Sequence, residues 1–286
     1  GPEGDYQIRV GVDGSGAWKL EPGESRSFHV LYSAHKPDEL EREDSGVAAW
    51  SERQAFLEEM RANLILETPD PVLDTLFAFS KIRASESLYD SRMGLVHSPG
   101  GGRYYIGVWA NDQAEYVNPF FPYLGYEAGN AAAMNAYNVF MDNMPGDFEP
   151  ISSSFEMHGD LPCCEKDRGD AAMILFGLTH YLLASGDRRQ AEHFWPLIEW
   201  TIEFCESRKT EDGVIASTTD EMEGRIETGS ANLATSSLYY GGLELAASLA
   251  RSMGMPGLAE TYLEIRSNLG EAIESHFGAT IDGLDT

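Results

Sequence analysis

Apolar positions change their spacing along this chain, and the change divides it. Residues 6–10 (YQIRV) and 25–32 (SRSFHVLY) alternate apolar with polar, the period of half-exposed strands, around a turn-rich segment holding Gly14, Gly16, Pro22 and Gly23. Two strands alone are marginal in water, so residues 1–35 are expected to be the end of an N-terminal β-sandwich whose other strands lie outside this sequence. Residues 36–66 turn charged and helical and read as a linker helix. From Pro69 the apolar positions recur at helical spacing, starting at Asp70-Pro71, an N-cap followed by proline at the first helical position, and running through Leu73, Leu76, Phe77 and Ile82. The pattern predicts helices over 71–89, 119–143, 168–185, 188–209, 231–253 and 256–276.

The connections carry the architectural information. Ser185-Gly186-Asp187 and Met253-Gly254-Met255-Pro256 are short enough to force antiparallel helical hairpins. The segments 90–118, 144–167 and 210–230 are long instead, and long loops in a compact domain are uncommon unless functional. Alternation of short and long connections gathers the long ones at one end of a helical array. The helices also differ in kind: residues 231–250 are apolar or small nearly all round, as an inner helix would be, whereas 256–276 shows the narrower stripe Leu258, Tyr262, Ile265, Leu269 of an outer one. Alternating inner and outer helices describe a two-layered α/α toroid over residues 67–286.

Two stretches hold candidate chemistry. Residues 104–125 (YYIGVWANDQAEYVNPFFPYLG) follow Gly100, Gly101, Gly102 and Arg103, and place Trp109, Asn111, Asp112 and Glu115 ahead of an aromatic run, Pro119-Phe120-Phe121-Pro122, expected to open a helix. Aromatic faces beside amides and carboxylates suit a sugar, which needs flat apolar surface for its C–H face and acceptors for its hydroxyls. Residues 219–225 (TDEMEGR) answer with Asp220, Glu221, Glu223 and Arg225 in a loop between helices. A formal net charge of −27 disfavours nucleic acid or an anionic membrane surface as partner and fits a neutral substrate. No apolar run is long enough to span a bilayer. Gly1-Pro2 reads as a processing scar, so the compartment stays open, with a secreted or periplasmic setting the leading expectation. Three cysteines, Cys163, Cys164 and Cys205, are too few and too odd in number for a disulfide scaffold.

In the order WANDQAEY (109–116) and PFFPYLG (119–125), DRGDAAMILFGLTHYLLASGD (167–187), and DEMEGRIETGSANLATSSLYYGGLELAA (220–247), the chain resembles the six-hairpin glycosidases. This (α/α)6-barrel clan includes glucoamylases, trehalases, processing glucosidases and rhamnosidases. The resemblance covers about residues 65–286 and implies an inverting glycoside hydrolase acting on a neutral oligo- or polysaccharide, whose first long loop holds the terminal sugar. On that basis Trp109, Asp112, Glu115 and Arg103 would bind sugar, with Asp220 and Arg225 beside them, and Glu221 or Glu223 would be the general acid. Inverting hydrolysis needs an acid and a base roughly 6.5–9.5 Å apart, with a water between them. Like-charge crowding among Asp220, Glu221 and Glu223 would help keep one carboxyl protonated. The clan's base belongs to the second half of the barrel, and six helices are half of twelve. The chain alone is therefore expected to lack the base and not to turn over substrate, with the missing C-terminal half of the barrel as an expected partner.

Blander readings stand beside these. Trp109 and Asp112 could be a core tryptophan and a helix cap, Glu115 a carboxylate near a helix start, Asn232 a helix cap, and the 220–223 cluster solvated surface. His158, Cys163, Cys164 and Glu165 fit no defensible zinc spacing, and Gly100–Gly102 precede a strand-like segment where a phosphate cradle would need a helix N-terminus, so neither metal nor cofactor is expected. A non-catalytic carbohydrate-binding or interaction fragment is the alternative function. A polysaccharide lyase or sugar epimerase is a weaker one, since a lyase would want paired tyrosine and histidine in a basic cleft.

Overall fold

The structure, a computed structural model, describes residues 7–14, 16–35, 46–91, 93–99, 106–156, 161–163, 167–219, 230–281 and 284–285. The chain divides into two compact units, Gly1–Ile65 and Leu66–Thr286. In the first, β1 (Gln7–Asp13) pairs antiparallel with β2 (His29–His35), in the register Val10↔Tyr32, followed by α1 (Gly46–Ala62). The alternation read in the sequence is visible here as one apolar row, Ile8, Val10, Val12, Val30 and Tyr32, left exposed on the two strands.

The second unit begins with α2 (Pro71–Glu86). Asp70 caps it, its carboxylate accepting the Val72 N–H at 2.9 Å, and Pro71 takes the first helical position. The hairpin β3 (Leu88–Ser91) and β4 (Gly94–His97) follows. β5 (Gly107–Trp109) runs directly into a π-helix (Ala110–Val117), a 3₁₀ turn (Asn118–Phe120) and α3 (Phe121–Leu124).

One expectation is corrected at this point. Residues 119–143 do not form a single helix: α3 stops at Gly125, whose φ of 66° is a left-handed conformation that glycine adopts without strain, and α4 (Glu127–Asp142) departs after Tyr126. The irregular run 110–124 is thus the first member of a helical hairpin and α4 its second. α5 (Asp170–Ser185) and α6 (Arg188–Ser207) form the next pair, and α7 (Leu233–Ser252) and α8 (Pro256–Phe277) the third.

Burial separates the two layers. From Asp170 to Leu175 every side chain of α5 is buried, and α5 packs between the 110–124 run on one side and α7 on the other, with α6 behind it. α8 buries Ala259, Tyr262 and Leu269 along one stripe; of the stripe read in the sequence, Tyr262 and Leu269 are buried and Leu258 and Ile265 are half-buried. Inner elements are therefore 110–124, α5 and α7; outer elements are α4, α6 and α8. The inner three run in the same sense: the C-terminal ends of α5 and α7 meet through Arg188 Nη2, which donates to the Met253 carbonyl at 3.3 Å, and along the 110–124 run Ala114 lies against Gly177 of α5 while Tyr123, further on, has its hydroxyl 3.0 Å from His180 Nε2. Their N-termini consequently share the other end, which is where the long connections arrive.

Those connections are not bare loops. The segment 90–118 supplies β4, β5 and the π-helix, and 144–167 supplies β6 (Ser154–Glu156) and β7 (Leu161–Cys163), which join β5 in an antiparallel sheet ordered β5-β6-β7. Short strands β8 (Thr280–Ile281) and β9 (Leu284–Asp285) pair after α8. Among the described residues, no helix is long and apolar enough to cross a membrane.

Candidate functional site

The site is built at the N-terminal end of the three inner elements. Trp109 ends β5, opposite Ser154 of β6, and stands just ahead of the π-helix without capping it by a side chain. Its backbone N–H donates to Gln113 Oε1 at 2.7 Å. The same fully buried glutamine donates from Nε2 to the carbonyls of His97, at 2.6 Å, and Gly107, at 3.0 Å. One side chain thus holds the end of β4, the start of β5 and the π-helix in register. π-Helical turns are rare and frequently found at functional sites. Here the turn presents Asp112 half-buried, as the acid of the first helical turn, while Glu115, three residues on, is only 8% exposed.

The π-helix is pressed against α5 at Gly177. A Cβ there would run into the Ala114 carbonyl, so only glycine permits the approach. That carbonyl also accepts the Tyr137 hydroxyl from α4, at 2.9 Å. The burial of this tyrosine pushes its ionisation well upward, so it acts as a donor here.

Behind Trp109 lies a buried polar network to which the sequence reading gave no role, Asp167-Arg168-Gly169-Asp170 with Ser153. Arg168 is 4% exposed; its Nε donates to Ser153 Oγ at 2.9 Å and its Nη2 to Asp170 Oδ1 at 3.2 Å. Ser153 Oγ donates in turn to Asp170 Oδ2 at 3.0 Å. Ser153 also reaches the other loop, because its carbonyl accepts the Ala110 N–H at 2.9 Å, next to Trp109. Asp167 reaches the third: its carbonyl accepts the N–H groups of Thr218 (2.9 Å) and Thr219 (3.1 Å), and its own N–H donates to Thr218 Oγ1 at 3.1 Å. Gly169, at φ 88°, lets the chain turn into α5 hard against Thr235 of α7.

Charge inside this network is costly. Burial raises the Asp167 carboxyl to about 6, opposed by the Gly169 N–H that its Oδ1 accepts at 2.9 Å, reinforced by the Asp170 charge, and opposed again by Arg208. Asp170 is raised as well, burial outweighing the Arg168 and Ser153 contacts that favour its charge. A charged arginine with two such carboxylates is a costly arrangement for stability alone, tolerable where every polar atom has a partner.

Asn232 closes the third loop. It caps α7, Oδ1 accepting from Ala234 at 2.9 Å and Thr235 at 3.3 Å, as the sequence suggested. Its Nδ2 donates to Ser217 Oγ at 2.8 Å and the Thr219 carbonyl at 3.4 Å, and its N–H donates to the Ile215 carbonyl, so the chain leaving at Thr219 and returning at Asn232 is tied at its base.

Of the residues singled out in the sequence, Trp109, Asp112 and Glu115 stand together on β5 and the π-helix. Arg103, Asp220, Glu221, Glu223 and Arg225 lie outside the described residues, as do Gly100, Gly101, Gly102, His158, Cys164 and Glu165. A cavity of about 200 Å³ between Leu182, Arg188, Leu249 and Met253 opens at the opposite, short-turn end, away from all of them. The missed residues are Gln113, Ser153, Asp167, Arg168 and Asp170. An arginine between two aspartates immediately before an almost wholly apolar helix was the available signal for the last three.

No protein-family model matches the chain, and no curated protein matches it by sequence. Solved structures do. A rhamnosidase from Klebsiella oxytoca with rhamnose bound superposes with a TM-score of 0.57 at 16% identity over 74% of this chain and 40% of that one. A family 105 glycoside hydrolase from C. acetobutylicum ATCC 824 superposes at 0.52, with 11% identity over 73% of this chain and 59% of that one. The chain therefore spans about two fifths and three fifths of the lengths of these two proteins. Its fold is that of the (α/α)6 toroid seen in glycosidase-type enzymes, and three inner–outer pairs are described here.

Proposed function

We propose that this chain belongs to a glycoside hydrolase acting on a neutral oligo- or polysaccharide by inverting acid/base hydrolysis. Trp109 would stack on the C–H face of the terminal sugar while Asp112, with Glu115, Arg103, Asp220 and Arg225, accepts from or donates to its hydroxyls. Glu221 or Glu223 would protonate the leaving oxygen. The observation that carries the reading is convergence: a half-buried tryptophan and aspartate share one end of the inner helices with the tied base from which residues 220–229 depart. The net charge of −27 supports a neutral ligand over an anionic one. The rhamnose in the Klebsiella neighbour makes that sugar the first to try.

The test is a titration of the chain with rhamnose, glucose, mannose and neutral oligosaccharides, followed by tryptophan fluorescence and calorimetry, together with an aryl-glycoside panel for turnover. Saturable binding lost in Trp109→Ala and Asp112→Asn supports the reading. Turnover abolished by Glu221→Gln or Glu223→Gln would identify the acid and show that the base is present too. Binding without turnover supports the alternative, a carbohydrate-binding fragment that lacks the base; no binding to any neutral saccharide overturns both.

A further inference from the structure

We propose that Arg168 is a positioning residue, the centre of a buried clamp that makes the Trp109 loop and the base of the 220–229 loop move as one body. The inference rests on the sugar-site reading for its purpose, though not for its mechanics. Arg168 donates one side-chain hydrogen bond to Ser153 and one to Asp170, its backbone N–H donates a second to Asp170, and it sits in the chain beside Asp167. Ser153 is bonded through its carbonyl to Ala110, and Asp167 through its carbonyl to Thr218 and Thr219. The two loops thus hang from opposite ends of one tripeptide-sized unit, with each intervening link a hydrogen bond of 2.9–3.2 Å, and Thr218 apart, which is exposed, the residues that make them are 5% exposed or less. Asp170 stands in the first turn of α5, where its charge meets both the guanidinium and the helix N-terminus, so the clamp is fixed to an inner helix buried on three sides.

A hydrolase has reason for such a part. Sugar ligands and leaving-group acid on separate loops must hold their spacing to within about 0.5 Å for productive geometry, and a shared rigid support achieves that where loops alone would not. Burying an arginine with two carboxylates is a poor way to gain stability, as apolar packing of equal volume does as well or better, so specificity of placement is the advantage it offers here.

The experiment is residue-resolved hydrogen exchange on the whole chain and two variants, Ser153→Ala and Arg168→Lys, with Ser153→Thr as the rescue that retains the hydroxyl. Ser153 has no direct contact with Thr218 or Thr219 among its hydrogen bonds. The clamp predicts that both variants nonetheless speed exchange of the Thr218 and Thr219 amides by roughly tenfold or more, the scale of one buried charge-assisted hydrogen bond. α7 and α8 core amides should be unchanged, and Ser153→Thr should return the rates to those of the unmodified chain. Arg168→Lys keeps the charge beside Asp170, so it is the variant to read should Ser153→Ala unfold. In the presence of rhamnose, the unmodified chain should slow exchange at 108–112 and at Thr218 and Thr219 together, and Arg168→Lys at 108–112 alone. Changes confined to Ala110 and its neighbours, with Thr218 and Thr219 unaffected, overturn the clamp. If no sugar slows exchange anywhere, the sugar-site reading fails while the free-chain rates still decide the coupling.

Discussion

Asp167→Asn should make the protein more stable near neutral pH and change its stability little in acid. The carboxyl is 5% exposed, and burial moves it from 3.8 to about 6. An acid whose folded value lies above its unfolded one contributes stability below the unfolded value, and that stability is lost as pH rises through the folded one. The window is therefore pH 4 to 6, and the whole effect at 1.36 kcal/mol per unit is about 3 kcal/mol. Asparagine keeps an oxygen to accept the Gly169 N–H and removes the charge, so the variant should escape the loss. The sequence pI near 4.4 makes the acid limb prone to precipitation, so pH 5 and 7.5 are the practical points. Between them about half of the effect should appear. In a domain of this size that is a gain in Tm for the variant, over the unmodified chain, larger by about 3–6 °C at pH 7.5 than at pH 5. Calorimetry is the assay because it separates the two compact units if they melt apart. Asp170, raised in the same direction, is present in both proteins and its contribution largely cancels in the difference. Parallel Tm–pH profiles for the two proteins would refute the reasoning and mean that Asp167 sees water or a cation when the protein is in solution.

Two further substitutions test the surrounding geometry. Gly177→Ala places a methyl group inside the Ala114 carbonyl and must push the π-helix off α5; a loss of about 1–3 kcal/mol or more is expected, read as a lower Tm by thermal denaturation, together with weaker sugar binding. Asn232→Asp keeps the oxygen that caps α7 and loses the amide donor to Ser217 and Thr219, so helix content by circular dichroism should hold while hydrogen exchange finds 216–219 opened. Equal protection of 216–219 in the variant and the unmodified chain would show that Asn232 serves as a cap alone.

Periodicity determined most of the helices by itself. Asp70-Pro71, Gly186-Asp187 and Pro256 fix where helices start and stop through capping and backbone geometry, which are local, and the apolar stripes of 231–250 and 256–276 already ranked α7 inside α8. Trp109 and Asp112 drew attention in the sequence because aromatic and acidic residues sit beside glycines in an otherwise helical chain, and the structure sets them side by side on β5 and the π-helix without assigning them a role. Residues 119–143 misled because Gly125 breaks the helix with a single left-handed residue inside a pattern that stays apolar on both sides. Only the tertiary structure decided that 110–124 is an inner element and a partly π-helical one, since that depends on α5 offering Gly177 to the Ala114 carbonyl from 63 residues away. The same holds for Ser153, Arg168 and Asp170: charge and hydroxyl carry no periodicity, and what they do depends on which distant backbone groups burial leaves in need of a partner.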